Sequence, residues 1–138
     1  MVRTHTHKKT KLRRRTTVLK IDKDCFVDRS WIEHYVRVIV AVCRTKGVQV
    51  RRIQMCNSEN KGLHFYIDIA SPVRAELANE LQFFLGDDCG RVDRNRARIR
   101  SGLKEWNKLF ERPNAILMTI FRGELRDGLE REFSGRNG

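Results

Sequence analysis

The chain has no apolar stretch long enough to cross a bilayer; the longest uninterrupted run in its middle is Val38-Ile39-Val40-Ala41-Val42-Cys43. Its basic N-terminus lacks the apolar segment of a secretory signal, so the expectation is a soluble, cytoplasmic protein with no membrane partner. Cysteine pairs at metal-binding C-x2-4-C spacing are missing too. Cys25, Cys43, Cys56 and Cys89 fall in different expected elements. A zinc site would have to be assembled from residues far apart, and reduced, mostly buried thiols are the expectation. Aromatic residues are few, at 8%, yet 40% of the chain is hydrophobic, which excludes wholesale disorder. A length of 138 residues allows one core and not two.

Acid is what the first fifteen residues lack altogether. They hold Arg3, Lys8, Lys9, Lys11, Arg13, Arg14 and Arg15, more than half of a net charge of +12. Residues 1–16 are therefore expected to be a disordered basic arm that binds phosphates with a steep salt dependence, or else a solubilising tail. A second cluster follows Gly90: Arg91, Arg94, Arg96, Arg98 and Arg100. On a helix, Arg91, Arg94 and Arg98 share one face, and Arg96 and Arg100 another. Such a face is either a phosphate surface or simply solvated. The charge balance points to a polyanionic partner, nucleic acid, either DNA or RNA.

Between these clusters, the hydrophobic period switches repeatedly between 2 and 3.6. Thr17–Asp24 alternates as a strand, and Ser30 with Glu33 forms an S-x-x-E capping box before a helix that Gly47 stops. That helix would bury Ile32, Tyr35, Val36, Ile39, Val42 and Cys43. Val48–Cys56 is a strand whose alternation slips at Arg51-Arg52, where a bulge is expected. In the next strand, Leu63–Ala70, Leu63, Phe65, Ile67 and Ile69 face one way and His64, Tyr66 and Asp68 the other. Ser71-Pro72 reads as a cap and first helical turn for a helix ending at Gly86, with Val73, Leu77, Leu81 and Phe84 inward. A further helix is expected over Val92–Phe110, with Ile99, Leu103, Trp106 and Phe110 inward, then a strand at Ala115–Phe121. Residues 123–138 alternate charge and glycine and read as a flexible tail. Residues 17–122 thus form a single α+β domain of the ferredoxin-like, RRM-like split βαβ type. It comprises a four-stranded antiparallel sheet with two main helices on one face and an extra helix.

Two short clusters could carry chemistry. Asp22 and Asp24, two apart at a strand end, put two carboxylates on one side. Such a pair repels unless protonated or bridged, and can hold Mg²⁺ or Mn²⁺ for phosphoryl transfer; it is also a common turn or cap. In Ser58-Glu59-Asn60-Lys61-Gly62-Leu63-His64, a polar turn offers backbone N–H groups to phosphates and Lys61 adds a point charge, unless it is an ordinary hairpin turn. On neighbouring strands, Asp22, Asp24, His64 and Asp68 would converge on the open sheet face.

Here the sequence resembles the catalytic core of archaeo-eukaryotic-type primases, including plasmid and viral primase–polymerases. VLKIDKD, with Asp22 and Asp24, matches their hydrophobic strand ending in D-x-D. S-E-N-K-G-L-H, with Ser58, Lys61, Gly62 and His64, matches their second motif. The resemblance covers about Val18 to Asp68. It implies metal on Asp22 and Asp24, with Asp68 a further candidate ligand, and nucleotide contacts from Ser58, Lys61, Gly62 and His64. A third-motif carboxylate has four candidates, Asp68, Asp87, Asp88 and Asp93. The segment L-G-D-D-x-x-R-V-D-R-x-R, ending in W-N-K-L-F, looks like a tail of small uncharacterised phage and archaeal-element proteins.

Two functions follow. One is a minimal, metal-dependent nucleotidyltransferase core with Asp22, Asp24 and His64 catalytic, acting in virus or plasmid replication. The other is a non-catalytic RRM-like module for single-stranded nucleic acid, with Tyr66 outward for stacking, although the aromatic-rich K/R-G-F/Y-G/A-F-V-x-F/Y signature is absent. A third alternative is a basic structural protein packed against nucleic acid.

Overall fold

The computed structural model describes residues 15–24, 28–57, 62–111 and 114–123. The expected arm at 1–16, except its last two residues, and the expected tail, except Gly123, lie outside the described residues. The elements are β1 (Arg15–Lys23), α1 (Arg29–Thr45), β2 (Val50–Asn57), β3 (Leu63–Arg74), α2 (Ala75–Phe84), α3 (Cys89–Arg100) and β4 (Met118–Arg122). Among the described residues, no helix is long and apolar enough to cross a membrane.

The strands form one antiparallel sheet in the order β1-β3-β2-β4. This is the α+β, ferredoxin-like class, with β3 inserted between β1 and β2. The last strand lies outside β2, so β1 is an edge strand beside β3. Alternation sends Leu19, Ile21, Phe65, Ile67 and Ile69 to one face, where they meet Tyr35, Ile39 and Cys43 of α1 and Ala78 and Leu81 of α2. The bulge is where the slip in alternation placed it: Val50 faces Ile69 but Arg52 faces Asp68, so Arg51 is the extra residue.

Each helix ends in the same way. The N–H of Gly47, Gly86 and Gly102 bonds the carbonyl three residues back, and the next residue's N–H bonds the carbonyl five back, at 2.9–3.0 Å. This is the Schellman arrangement, which needs a left-handed residue that glycine supplies without strain. At Gly102, φ is +76°. That glycine overturns the expected helix over Val92–Phe110: α3 stops at Arg100 and the chain turns away. Trp106 remains buried, but Leu103 is exposed and Phe110 is 81% exposed.

Other expectations are corrected at element starts. Asp28, not Ser30, caps α1, accepting from the Trp31 N–H at 2.8 Å; Glu33 instead faces Arg29 across one turn at 3.5 Å. Ser71-Pro72 opens no helix, because β3 runs on to Arg74 and pairs there with Arg15 of β1. Beyond Ala70, β3 pairs with β1 alone among the described residues, so proline's missing N–H costs no ladder bond to β2, and its preference for extended backbone before it prolongs the strand. With α2 starting at Ala75, the helix rotates: Ala78, Leu81 and Gln82 are buried, and Phe84 is exposed.

An edge strand leaves a row of unpaired backbone groups. Here side chains take them. Lys20 N–H donates to Gln82 Oε1 at 3.0 Å, Asp22 N–H to Asp87 Oδ1 at 2.9 Å, and the Lys20 carbonyl accepts from Arg91 at 2.9 Å. Arg91 is 4% exposed and sits i+4 from Asp87, whose two carboxylate oxygens its Nε contacts at 3.1 Å. Its remaining nitrogens bond Asn107 Oδ1 and the Lys108 carbonyl. One guanidinium thus ties α3, the β1 edge and segment 103–111, hereafter the strap. Asn107 and Gln82 add a reciprocal amide pair at 2.8 and 3.2 Å.

Removing one partner of a buried, fully bonded pair leaves the other charge stranded, at a cost of roughly 3–5 kcal/mol. Arg91→Ala should therefore lose about that much in urea unfolding, while Asp93→Ala, on the exposed face of α3, should change stability by less than about 0.5 kcal/mol. Equal losses would show that Arg91 is not the tie described.

Candidate functional site

Three rows of side chains cross the sheet on the face away from the core. Asp22 on β1 faces His64 on β3, which faces Cys56 on β2; Lys20, Tyr66 and Gln54 form the next row; Val18, Asp68 and Arg52 form the third. The strap lies against the first two rows. It delivers Glu111, whose carboxylate is bonded by His64 Nδ1 and by the Tyr66 hydroxyl, with Cys56 Sγ at 3.1 Å. The other ring nitrogen of His64, Nε2, is 3.4 Å from Asp22 Oδ1. That oxygen is buried and has no hydrogen-bond partner.

The electrostatics follow from this crowding. Burial and then Asp24 raise the Asp22 carboxyl above its ordinary value; His64 opposes them, and Asp87 and Asp88 add to the rise. Burial disfavours ionised Glu111, but hydrogen bonds from Tyr66, Cys56 and His64 outweigh it and hold the carboxyl below its ordinary value. Burial, followed by the hydrogen bond to Glu111, pushes the Tyr66 phenol well up.

The structure brings Asp22 and His64 together, as the two motifs require, but it surrounds them differently. Asp24 is exposed just past β1 and acts on Asp22 through its charge. Gly62 is buried at the start of β3, while Ser58 and Lys61 lie outside the described residues. Asp68 is held by Arg52, two of whose nitrogens contact one carboxylate oxygen at 2.7 Å. Asp87 is paired with Arg91, Asp88 caps α3 through the Arg91 N–H at 3.0 Å, and Asp93 pairs with Arg96 at 3.3 Å. Tyr66, expected outward for stacking, is half-buried with its hydroxyl on Glu111.

This donor set does not fit the Mg²⁺ or Mn²⁺ centre that the resemblance implies. Hard cations need several converging oxygens. Among the described residues, the one group of three converging ligand side chains is Cys56, His64 and Glu111, and it includes neither Asp22 nor Asp24. His64 stands between two carboxylates and is only 8% exposed, which leaves no ring nitrogen turned towards a triphosphate.

The basic residues divide as well. Arg91 is no phosphate ligand, since it is buried and fully bonded; Arg94, Arg96 and Arg100 are exposed and Arg98 half-buried. Lys8, Lys9, Lys11, Arg13 and Arg14 lie outside the described residues, and Arg15 is exposed at the start of β1. A cleft of about 570 Å³ runs between β1 and the strap, lined by Arg15, Lys20, Lys104 and Lys108, by one acidic residue, Glu105, and by the exposed ring of Phe110. On the far side of the sheet face, Arg51, Arg52 and Arg122 line a second cleft.

Sequence reasoning missed Cys56, Glu111, Lys20, Lys104, Lys108 and Phe110. Lys104, Lys108 and Phe110 fall within the expected helix over Val92–Phe110, which only the Ser101-Gly102 stop signal interrupts, and Glu111 lies just past its end. Comparison with protein-family models, curated proteins and solved structures finds no match to this chain.

The two site carboxylates should respond oppositely to pH. A raised folded-state value means Asp22 favours the fold when protonated, below the ordinary carboxylate range of about 4, and that support is lost as pH rises through the raised value. Asp22→Asn should thus melt a few degrees above the parent at neutral pH, with the gain shrinking in acid. For Glu111 the lowered value means support present above the ordinary range and lost as pH falls. Glu111→Gln should melt lower at neutral pH, with the deficit closing in acid. Parallel pH profiles for the two variants would contradict this.

Proposed function

We propose that this chain binds single-stranded nucleic acid without catalysing a reaction on it, through the cleft between β1 and the strap. The observation that carries the reading is Phe110, 81% exposed beside Arg15, Lys20, Lys104 and Lys108. An aromatic ring among cations is the usual platform for an unpaired base, because every base has a π-face to stack and every linkage a phosphate to neutralise. An exposed phenylalanine otherwise only costs solvation, so its place in a basic cleft favours a ligand with both features. The overall charge of +12 supports the same partner and adds attraction that is not sequence-specific. The stacking residue is Phe110 and not Tyr66, whose hydroxyl is committed to Glu111.

Fluorescence anisotropy with labelled oligo-dT and oligo-U tests the reading. Phe110→Ala should weaken binding about tenfold, in the range of one lost base stack of roughly 1–3 kcal/mol. Lys104→Ala with Lys108→Ala should flatten the slope of log affinity against log salt by roughly 1.4, at about 0.7 per phosphate contact for single strands. Binding unaffected by all three substitutions, or equally tight on duplex, would overturn the cleft as the site. Incorporation of labelled nucleotide with Mn²⁺ that disappears in Asp22→Ala with Asp24→Ala would restore the nucleotidyltransferase reading instead.

A further inference from the structure

We propose a zinc-binding site made by Cys56, His64 and Glu111, with Asp22 as the carboxylate behind the histidine. No spacing in the sequence announces it, because the three ligands come from β2, β3 and the strap, and the interval from Cys56 to Glu111 is 55 residues. Pairing brings them together: Cys56 and His64 are directly opposed across the β2–β3 ladder, and the strap lowers Glu111 between them.

The donor atoms, one sulfur, one nitrogen and one oxygen, all lie within 4.8 Å of one another. Bonds of about 2.3 Å to sulfur and about 2.0–2.2 Å to nitrogen and oxygen, spread tetrahedrally, fit inside that limit. The mixture of thiolate, imidazole and carboxylate selects a borderline divalent ion over Mg²⁺ or Ca²⁺, which take oxygen alone. Three protein ligands leave a fourth position for water, and the Tyr66 hydroxyl bonded to Glu111 lies at the edge of the group.

An independent observation points the same way. A metal-bound histidine commonly donates its other ring N–H to a carboxylate, a backbone carbonyl or a water, which fixes the tautomer and turns the ring. Here Nδ1 faces Glu111 and Nε2 faces Asp22 Oδ1 at 3.4 Å, the one buried side-chain oxygen among the described residues with no hydrogen-bond partner. With Nδ1 on the ion, Nε2 must carry its hydrogen, and Asp22 Oδ1 becomes the acceptor for it. Zinc would thus account for an oxygen that the protein alone leaves unpaired. Binding releases the Cys56 thiol proton and any proton shared between His64 Nδ1 and Glu111 to solvent, and forms three coordinate bonds with no change of oxidation state. The ion would lock β2, β3 and the strap together. This inference is independent of the nucleic-acid reading.

The test uses the full chain, freed of metal by chelator and titrated with Co²⁺ and then Zn²⁺. One equivalent of Co²⁺ should give tetrahedral d–d bands with a thiolate-to-cobalt charge-transfer band, and one equivalent of Zn²⁺ should bleach both. Cys56→Ser should abolish the charge-transfer band and Glu111→Gln should weaken binding at least tenfold. Cys89→Ser and the His5→Ala, His7→Ala pair should leave the spectrum unchanged. As a readout independent of how the variants fold, Zn²⁺ should slow alkylation of Cys56 in the unaltered chain, followed by mass spectrometry. No charge-transfer band in the unaltered chain would overturn the proposal, as would a band surviving Cys56→Ser or alkylation of Cys56 indifferent to zinc.

Discussion

The buried ion pair of Arg91 and Asp87 is the contact on which the arrangement of this protein turns. Alone, such a pair stabilises little, because the desolvation of two charges roughly cancels their attraction. Its importance lies in what else the two groups hold. Asp87 takes the Asp22 N–H and the Asp88 N–H, while Arg91 takes the Lys20 carbonyl, Asn107 and the Lys108 carbonyl. With β4 placed outside β2, the only other group among the described residues that bonds the free edge of β1 at Lys20 and Asp22 is Gln82 from α2. A side-chain network therefore does for β1 what a neighbouring strand would otherwise do.

The same network decides what the sheet face can be used for. By anchoring the strap at Asn107 and Lys108, it sets Glu111 over His64, Tyr66 and Cys56, and it leaves Phe110 pointing outward. The centre of the face becomes a closed polar cluster, unlike the open platform of a dedicated RNA-recognition sheet. What stays accessible lies beside the strap: a cleft with cations from β1 on one wall and from the strap on the other. The proposed strand cleft and the proposed ion site thus fall to different parts of one covered surface.

Much of the fold was legible because it rests on local chemistry. Alternation placed β1, the bulge at Arg51 and the inward row of β3, and the glycines at 47 and 86 marked real helix ends. The errors have a common cause, which is that tertiary partners outrank local signals. Ser71-Pro72 has the composition of a helix start, but pairing with Thr16 and Arg15 carries the strand through it. Ile99, Leu103, Trp106 and Phe110 keep helical spacing across Gly102, so the period hid the break. Arg91 looked like its neighbours Arg94 and Arg98, since nothing in a run of arginines tells which one is buried. Of the site, Asp22 and His64 were legible from their strands. Cys56 and Glu111 were not, because their meeting depends on the strap, and the strap on Arg91.

Amide hydrogen exchange on the Arg91→Met variant measures this dependence most directly. The account predicts that the Lys20 and Asp22 amides and residues 106–111 lose protection together, while the β2–β3 ladder from Ile53 to Met55 keeps it. Unchanged protection at Lys20 and Asp22, or a uniform loss across the whole sheet, would contradict it.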